Sequence, residues 1–281
     1  VAGAVPTNQP ETEGSQVPQQ EGCGTTMDLM PPITLHMVLA RQIALDLCHE
    51  SVPASSGAYL LGATSPDIRV ITKQDRLSTH FFDLNEHNHQ DSVAAFLHTY
   101  GTLAAPENLN AETRAWATGY ITHLVMDEQY ITGIYRPYFA QHEALGGMMR
   151  ANVMDRLLQF DLEREYGNDP ALKDALISAL ADTVEGIECG FLDSETLERW
   201  RQVSSDVAAR QMDWERMRGM ISNHLRYAGL QEGESLGDFL DSLPELLDET
   251  IAHITSVEID AFVQRATETA RSAVERYLGC G

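Results

Sequence analysis

The sequence predicts an all-α protein, a single-domain multi-helix bundle, and three observations support this fold class. Apolar residues recur at helical spacing through most of the chain after residue 26. Gly, Pro and Asp residues separate these amphipathic segments, as helix ends require. Convincing strands, with apolar residues at every second position, are absent from the pattern. At 281 residues the chain is long enough to bury one sizeable core.

Composition divides the chain into two parts. Residues 1–26 are rich in Pro, Gln, Glu, Gly and Thr and carry almost no bulky apolar side chains. Such a segment cannot bury enough surface to offset the entropy lost on ordering. We therefore predict a disordered N-terminal tail at 1–26 and a helical domain at 27–281.

Eight helices are predicted in order along this domain. Asn110 is a favourable N-cap for the third helix, and Glu112 in its first turn complements the helix dipole. The last two helices alternate charged and apolar residues, as amphipathic helices of a bundle do. The predicted spans are 34–50, 91–101, 110–131, 133–145, 148–166, 170–190, 194–228 and 235–278.

Charge and cysteine usage narrow the possible partners and the location. The formal net charge is −23, from 42 acidic and 19 basic residues. Binding of nucleic acid is not expected, because it requires Lys and Arg to neutralise phosphates. No apolar run is long enough to predict a transmembrane segment. The four cysteines are scattered without CxxC spacing, which favours free thiols and a cytoplasmic location, or a secreted one if a signal segment was removed.

The helix predicted after Asn110 carries a histidine and an aspartate four residues apart. His123 and Asp127 lie in the apolar sequence GYITHLVMD, and residues four apart share one face of a helix. A charged carboxylate on an apolar helix costs roughly 3 kcal/mol or more unless it is paired or binds a metal. Gly119 on the same helix would permit close approach of a neighbouring element. A structural hydrogen bond is the alternative explanation of the pair.

Three further polar residues stand in apolar segments upstream. Asp67 follows a Ser-Pro pair, His80 precedes two phenylalanines, and His36 lies near the start of the first predicted helix. Taken singly, Asp67 is explained equally well as a turn aspartate, and each histidine as a hydrogen-bonded core residue.

Taken together, the five residues have the chemistry of a divalent-metal site. Zinc binds imidazole nitrogen and carboxylate oxygen, with about four ligands per ion. Five ligands exceed one tetrahedral shell, so Asp127 could bridge two ions, as carboxylates do in two-metal hydrolytic sites. We predict one or two zinc ions, with the ligand side chains inside a common sphere of about 6 Å radius. The predicted metal ligands are His36, Asp67, His80, His123 and Asp127.

The order of these motifs resembles the zinc-dependent phospholipase C family, which is all-helical and related to zinc-dependent single-strand nucleases. The resemblance covers roughly residues 30–165 and rests on the motifs TLH at 34–36, GATSPD at 62–67, THF at 79–81 and GYITHLVMD at 119–127. It implies that Asp67, His80, His123 and Asp127 hold one zinc, and that His36 and Asp127 contribute to a second. It also implies hydrolysis of a lipid or small-molecule phosphoester, with Asp67 as the candidate general base.

The chain departs from the family pattern in two respects. Secreted members complete one zinc site with the amino terminus of the mature chain, just ahead of the histidine that matches His36. Here a tail precedes His36, so that ligand is missing unless processing exposes a new amino terminus. Secreted members also bind a further zinc through two histidines and a glutamate. The third site is doubtful, since between Asp127 and the end of the resemblance the chain offers a single histidine, His142, and the weaker substitutes Glu128, Glu143, Asp155 and Asp161.

The sequence therefore predicts a phosphoric diester hydrolase that uses metal-activated water. Two alternatives remain: a non-catalytic helical protein in which a metal ties helices together, and a phosphoesterase that acts on nucleotides or nucleic acid. The pattern leaves the oligomeric state open.

Overall fold

The protein is described by a computed structural model that covers residues 33–47, 51–181, 184–227 and 234–280. These residues form α-helices and short 3₁₀ or π-helical segments, and they contain no strand. The predicted all-α fold class is thus confirmed. The tail predicted at 1–26 lies outside the described residues, so the division into tail and domain stays a prediction.

Fourteen α-helices run through the described part of the chain. Four short ones lie between residues 51 and 80, a stretch in which the sequence predicted no helix, and they carry two of the predicted metal ligands or lie next to them. The helices are α1 (Ile33–Asp46), α2 (Ser51–Ala54), α3 (Ser56–Gly62), α4 (Arg69–Thr72), α5 (Arg76–His80), α6 (Ser92–Thr99), α7 (Ala111–Tyr130), α8 (Met148–Gly167), α9 (Pro170–Leu180), α10 (Ser194–Ala209), α11 (Trp214–Tyr227), α12 (Glu234–Asp241), α13 (Leu243–Ile254) and α14 (Ser256–Leu278).

Helix α7 is the centre of the fold. It packs most extensively against α3 and α14, and also against α1 and α6. Most of its residues are buried on every side, which is the pattern of a helix surrounded by others. Asn110 caps it as predicted, since its side chain accepts a hydrogen bond from the Thr113 amide at 2.8 Å. The central position of α7 puts His123 and Asp127 in the interior of the protein.

The helix predicted at 170–190 is wrong beyond Leu180, where α9 ends. The described residues after 183 form a loop that turns at Gly186 and Gly190, with φ values of 89° and 84° that glycine adopts without strain. The Gly186 carbonyl accepts hydrogen bonds from Asn110 Nδ2 at 2.8 Å and from Thr113 Oγ1 at 3.0 Å. The loop therefore holds the start of α7 instead of continuing a helix.

The two long helices predicted near the C-terminus are also wrong, because each is interrupted. The span 194–228 breaks between α10 and α11, where the Asp213 side chain accepts from the Arg216 amide at 2.9 Å and starts a new helix. The span 235–278 breaks before α13, which has a proline in its first turn, and again at Thr255, with φ of 79°. Capping and turn residues have overridden the amphipathic periodicity at all three breaks.

The helix predicted at 133–145 has a different geometry from the one expected. The chain leaves α7 directly into a π-helical segment, Ile131–Phe139, and then a 3₁₀ turn, His142–Leu145. Pro137 lies inside the π-helical segment, where it lacks the amide hydrogen that an α-helix would need. The predicted helices at 34–50, 91–101, 110–131 and 148–166 correspond to α1, α6, α7 and α8, apart from residues 48–50, which are not described.

Candidate metal centre

Two glycines allow α3 and α7 to touch through their backbones. A Cβ atom on Gly119 would lie 2.0 Å from the carbonyl oxygen of Tyr59, and one on Gly62 would lie 2.0 Å from that of Trp116. At these distances from backbone atoms only a hydrogen atom fits. The expectation that Gly119 permits a close approach is confirmed. The contact brings Ala63, which follows α3, against α7.

His123 is fully buried on α7, and Ala63 fixes the orientation of its ring. His123 Nδ1 lies 2.8 Å from the carbonyl oxygen of Ala63. Since a carbonyl only accepts, Nδ1 must carry the proton and donate it. The other ring nitrogen, Nε2, then keeps the lone pair with which histidine binds a metal. Burial lowers the pKa of His123 to about 3, so the ring is neutral near pH 7.

His80 presents its ring to the same point from the end of α5. Thr79 Oγ1 lies 2.9 Å from His80 Nδ1, and the Tyr120 hydroxyl on α7 donates to the Thr79 carbonyl at 2.6 Å. His80 Nε2 lies 3.4 Å from His123 Nε2. Both rings are thus held at Nδ1 and face each other through Nε2, which is how two histidines that bind one ion are oriented. Burial, with a further contribution from the charge of Arg76, lowers the pKa of His80.

Asp67 completes a group of three from the 3₁₀ turn Ser65–Ile68. Its Oδ1 lies 3.6 Å from His80 Nε2, and the turn is fixed to α7 because Trp116 Nε1 donates to Ser65 Oγ at 2.9 Å. One ligand atom from each of Asp67, His80 and His123 lies within 4.8 Å of the other two. Burial, reinforced by the charge of Asp127, raises the pKa of the Asp67 carboxyl. Within the described ranges this is the group of His, Cys, Asp and Glu side chains that could share one ion.

His36 and Asp127 border the group without joining it. The His36 ring stacks on the His123 ring with centroids 3.9 Å apart, and both of its buried nitrogens lack a hydrogen-bond partner. Asp127 forms an ion pair through Oδ2 with Arg76 Nη2, while its buried Oδ1 has no hydrogen-bond partner. Burial raises the pKa of Asp127 to about 6, against the opposing effect of Arg76. The structure therefore brings three predicted ligands together and places the other two beside them.

The sequence interpretation missed the arginines around this centre. Arg76 pairs with Asp127, and the charges of Arg69 and Arg156 act on Asp127 and Asp67 respectively. One signal was available, because Arg76 precedes His80 by four residues, the same spacing as His123 and Asp127. This spacing becomes informative only when residues 76–80 are known to form a helix.

The substitutes considered for a third zinc site have other partners. Glu128 accepts a hydrogen bond from Ser92 Oγ at 2.7 Å, and Asp161 pairs with Arg164 at 2.5 Å. Asp155 accepts from Tyr130 and Gln159 inside the core, while Glu143 is exposed. In the part of the chain that the structure describes, these residues and His142 form no group able to hold an ion.

The surface near α7 also has a cleft of about 600 Å³ between α6 and α14. Its lining includes Val125, Glu128 and Gln129 from α7, together with Tyr277 from α14. None of the five predicted ligands lines this cleft. The side chain of Arg76, which borders the metal centre, is 12% exposed, against 7% for that of Asp67, and both histidines are almost fully buried.

The residues of this centre fit a zinc ion. One carboxylate oxygen and two imidazole nitrogens are the donor atoms that zinc prefers. Buried polar atoms normally have partners, yet two nitrogens of His36 and one oxygen of Asp127 have none at the border of the group. A cation bound at this border would give these atoms a partner. The fold and the site are thus those of an all-α protein with a candidate metal site.

Comparison with protein families supports the predicted resemblance. Residues 35–129, about a third of the chain, match the family of zinc-dependent phospholipase C. The match contains all five predicted ligands. Comparisons with curated proteins and with solved structures give no significant match.

No helix among the described residues is both long and apolar enough to cross a membrane. The cytoplasmic location stays a prediction.

Proposed function

We propose that the protein is a zinc-dependent hydrolase of phosphoester bonds, similar in activity to phospholipase C. The observation that carries this proposal is that one ligand atom from each of Asp67, His80 and His123 lies within 4.8 Å of the other two. The family match over residues 35–129 adds the reaction class. Neither observation alone is specific, because buried histidine clusters also occur in structural sites and a fold hosts more than one activity.

Each residue of the centre has a distinct part in this proposal. Asp67, His80 and His123 would hold one zinc, and Asp127 would join them by exchanging its contact with Arg76. His36 and Asp127 would contribute to a second ion, so we expect one or two per chain. When bound, zinc supplies a Lewis acid that polarises the phosphoryl group and acidifies a water molecule. Asp67 is the proposed general base, since only one of its two oxygens is needed at the cluster and the other is left to accept a proton.

The proposed substrate is a phosphoester of a lipid or small molecule. The chain carries a net charge of −23, which repels a polyanion such as nucleic acid. A single phosphodiester has one negative charge and meets this repulsion only weakly. The two alternatives, a structural metal site and a phosphoesterase of nucleotides, remain outcomes of the test.

The test compares zinc content and hydrolysis in the wild type, His123→Gln and a control, His98→Gln. His98 is an exposed histidine on α6, so its replacement should change neither quantity. We expect the wild type to contain one or two zinc ions per chain by elemental analysis and to hydrolyse phosphatidylcholine or a chromogenic phosphodiester in a chelator-sensitive manner. His123→Gln should lose zinc affinity by more than about 100-fold, since even outer partners of metal ligands contribute about 10–100-fold.

Three results would contradict the proposal. A folded wild-type chain without zinc would reject the metal centre. Zinc without hydrolysis of any phosphoester would support a structural site. Hydrolysis of a nucleotide phosphodiester but of no lipid would favour the nuclease-like alternative. Circular dichroism of the three proteins establishes that each comparison is made between folded chains.

A further inference from the structure

Arg76 borders the metal centre, and its side chain is more exposed than those of Asp67, His80 and Asp127. It begins α5, one helical turn before His80, so both side chains lie on the same face of that short helix. Its Nη2 donates to Asp127 Oδ2 and its Nη1 donates to the Phe82 carbonyl at 3.1 Å. The side chain is 12% exposed, more than that of Asp127.

The charge around Arg76 would become more positive when a divalent cation binds. As carboxylates bound to the ion, Asp67 and Asp127 would contribute two negative charges, which one zinc ion neutralises. Arg76 then remains as a positive charge, and Arg69, whose charge acts on both Arg76 and Asp127, adds a second. A buried cation without a counter-charge is costly. The zinc-bound centre would therefore favour an anion beside Arg76, although the whole chain carries a net charge of −23.

We propose that Arg76 is the residue that binds phosphoryl oxygens at this centre, an inference that rests on the proposed zinc-dependent hydrolase. In the structure its guanidinium is paired with Asp127. If Asp127 bound the ion, the same planar donors of Arg76 would be available to a tetrahedral oxyanion instead. Guanidinium matches carboxylate and phosphate equally well, because both offer two oxygens at the spacing of its paired N–H groups. When zinc binds, Arg76 would thus bind a phosphoryl group in place of the Asp127 carboxylate.

The experiment measures anion binding by the zinc-loaded chain, independently of turnover. Calorimetric titrations with inorganic phosphate and with phosphocholine, at constant ionic strength, compare the wild type with Arg76→Gln and Arg76→Lys. We expect Arg76→Gln to weaken binding by at least about tenfold. Arg76→Lys should recover part of the loss, because an ammonium keeps the charge without the planar pair of donors. Arg150→Gln is the matched control, since Arg150 also pairs with a carboxylate, that of Glu249 on α13.

Zinc content, measured on the same samples, separates the two proposals. Zinc should be retained in Arg76→Gln, because the substitution removes a competitor for Asp127 and no ligand. A loss confined to phosphate, or confined to phosphocholine, supports the inference and identifies the ligand as the free anion or the lipid headgroup. Unchanged affinity for both anions, or loss of zinc from Arg76→Gln, overturns it while leaving the hydrolase intact. Absence of zinc from the wild type rejects the hydrolase, and the inference with it.

Discussion

Helix α7 borders two buried polar clusters that differ in how completely their atoms are paired. Toward its C-terminus, Tyr130 donates to Asp155 Oδ1 at 2.5 Å and Gln159 Nε2 donates to Asp155 Oδ2 at 2.8 Å. One turn earlier, Asp127 has a buried oxygen without a hydrogen-bond partner, and neither nitrogen of His36 has one. Burial raises the pKa of both carboxyls, Asp127 and Asp155, to about 6. Burial and residue type therefore do not distinguish the clusters, whereas pairing does.

Complete pairing marks the Tyr130–Asp155–Gln159 cluster as part of the framework. A buried network in which every member is satisfied stabilises one arrangement of the core. Incomplete pairing distinguishes the cluster at His36 and Asp127, where the proposed ions would supply the missing partners, because an unsatisfied buried polar group costs about 1–3 kcal/mol. Three substitutions test this distinction, in order of decreasing expected effect.

The largest effect on the free energy of unfolding is expected from Gly119→Ala, which disrupts the backbone contact between α3 and α7 that supports the metal centre. The new Cβ would lie 2.0 Å from Tyr59 O and 2.7 Å from Ala63 N, so α3 and α7 must separate. Overpacking of a core costs about 1–3 kcal/mol, and more when backbone must move. We expect a loss above about 3 kcal/mol in urea unfolding, together with weaker zinc binding as Ala63 leaves His123.

Gly219→Ala is the control for this substitution. Gly219 lies inside α11, and apart from its chain neighbours and the backbone of its own helix no atom lies within 4 Å of the position that an alanine methyl group would take there. Alanine should therefore be neutral or stabilise by about 0.5–1 kcal/mol. Equal stability of Gly119→Ala and the wild type would show that the two helices are not in backbone contact.

The second test, Asp155→Asn, examines pH dependence in the fully paired cluster. The pKa of Asp155 is about 6 in the folded chain against an ordinary value of 3.8. The folded state then binds the proton more tightly, so the free energy of unfolding falls as pH rises from about 4 to about 6. About 2 pH units of difference correspond to roughly 3 kcal/mol as an upper limit.

Urea unfolding of chelator-treated protein between pH 4 and pH 7 isolates this contribution. Asparagine does not titrate, so the variant should lack the part of the pH slope that Asp155 causes. Asp127 titrates in the same range but is present in both proteins, and its effect cancels in the difference. If the free energy of unfolding had the same pH slope in the wild type and in Asp155→Asn, the surroundings of Asp155 would not raise its pKa. The comparison between the two clusters would then have no support from Asp155.

The third and smallest effect is expected from Thr79→Val, which removes the hydroxyl beside His80 Nδ1 and preserves the shape of the side chain. The substitution removes the hydroxyl that orients the His80 ring and leaves all the proposed metal ligands in place. Loss of such a partner costs about 10–100-fold in metal affinity, which competition with a zinc chelator would measure. Thr99→Val, at an exposed position of α6, should leave zinc affinity unchanged. An unaltered zinc affinity in Thr79→Val would show that the hydroxyl does not orient the ring.

Local sequence signals were sufficient to predict the helices in which a single preference, such as an N-cap followed by apolar residues, decides the structure. Asn110 and the apolar residues after it predicted α7 within one residue at each end. His123 and Asp127, four apart on that helix, identified the region of the centre. The predictions failed where two local preferences compete. At Asp213 and Thr255 a side chain that caps a new helix ends an amphipathic pattern that otherwise continues.

The centre itself was predicted in part. Asp67, His80 and His123 were named from their apolar surroundings, and the structure brings their ligand atoms together. The pairing of Asp127 with Arg76 was missed, because it joins residues 51 positions apart through a five-residue helix that periodicity does not detect. Long-range partners of this kind depend on how short elements pack, and no single segment of sequence encodes them.

The π-helical segment after α7 limits how far along this chain a helical wheel can assign residues to helix faces. Hydrogen bonds from each residue to the fifth along turn the chain by a smaller angle per residue than α-helical bonds do. A helical wheel drawn from His123 through Ile131–Phe139 therefore assigns the wrong side to the residues after Tyr130. Labels, crosslinks or surface substitutions planned for Arg136 or Tyr138 from such a wheel would be misplaced. For these positions the actual neighbours are the guide: Arg136 donates to the Glu86 carbonyl, and the Tyr138 carbonyl accepts from His253.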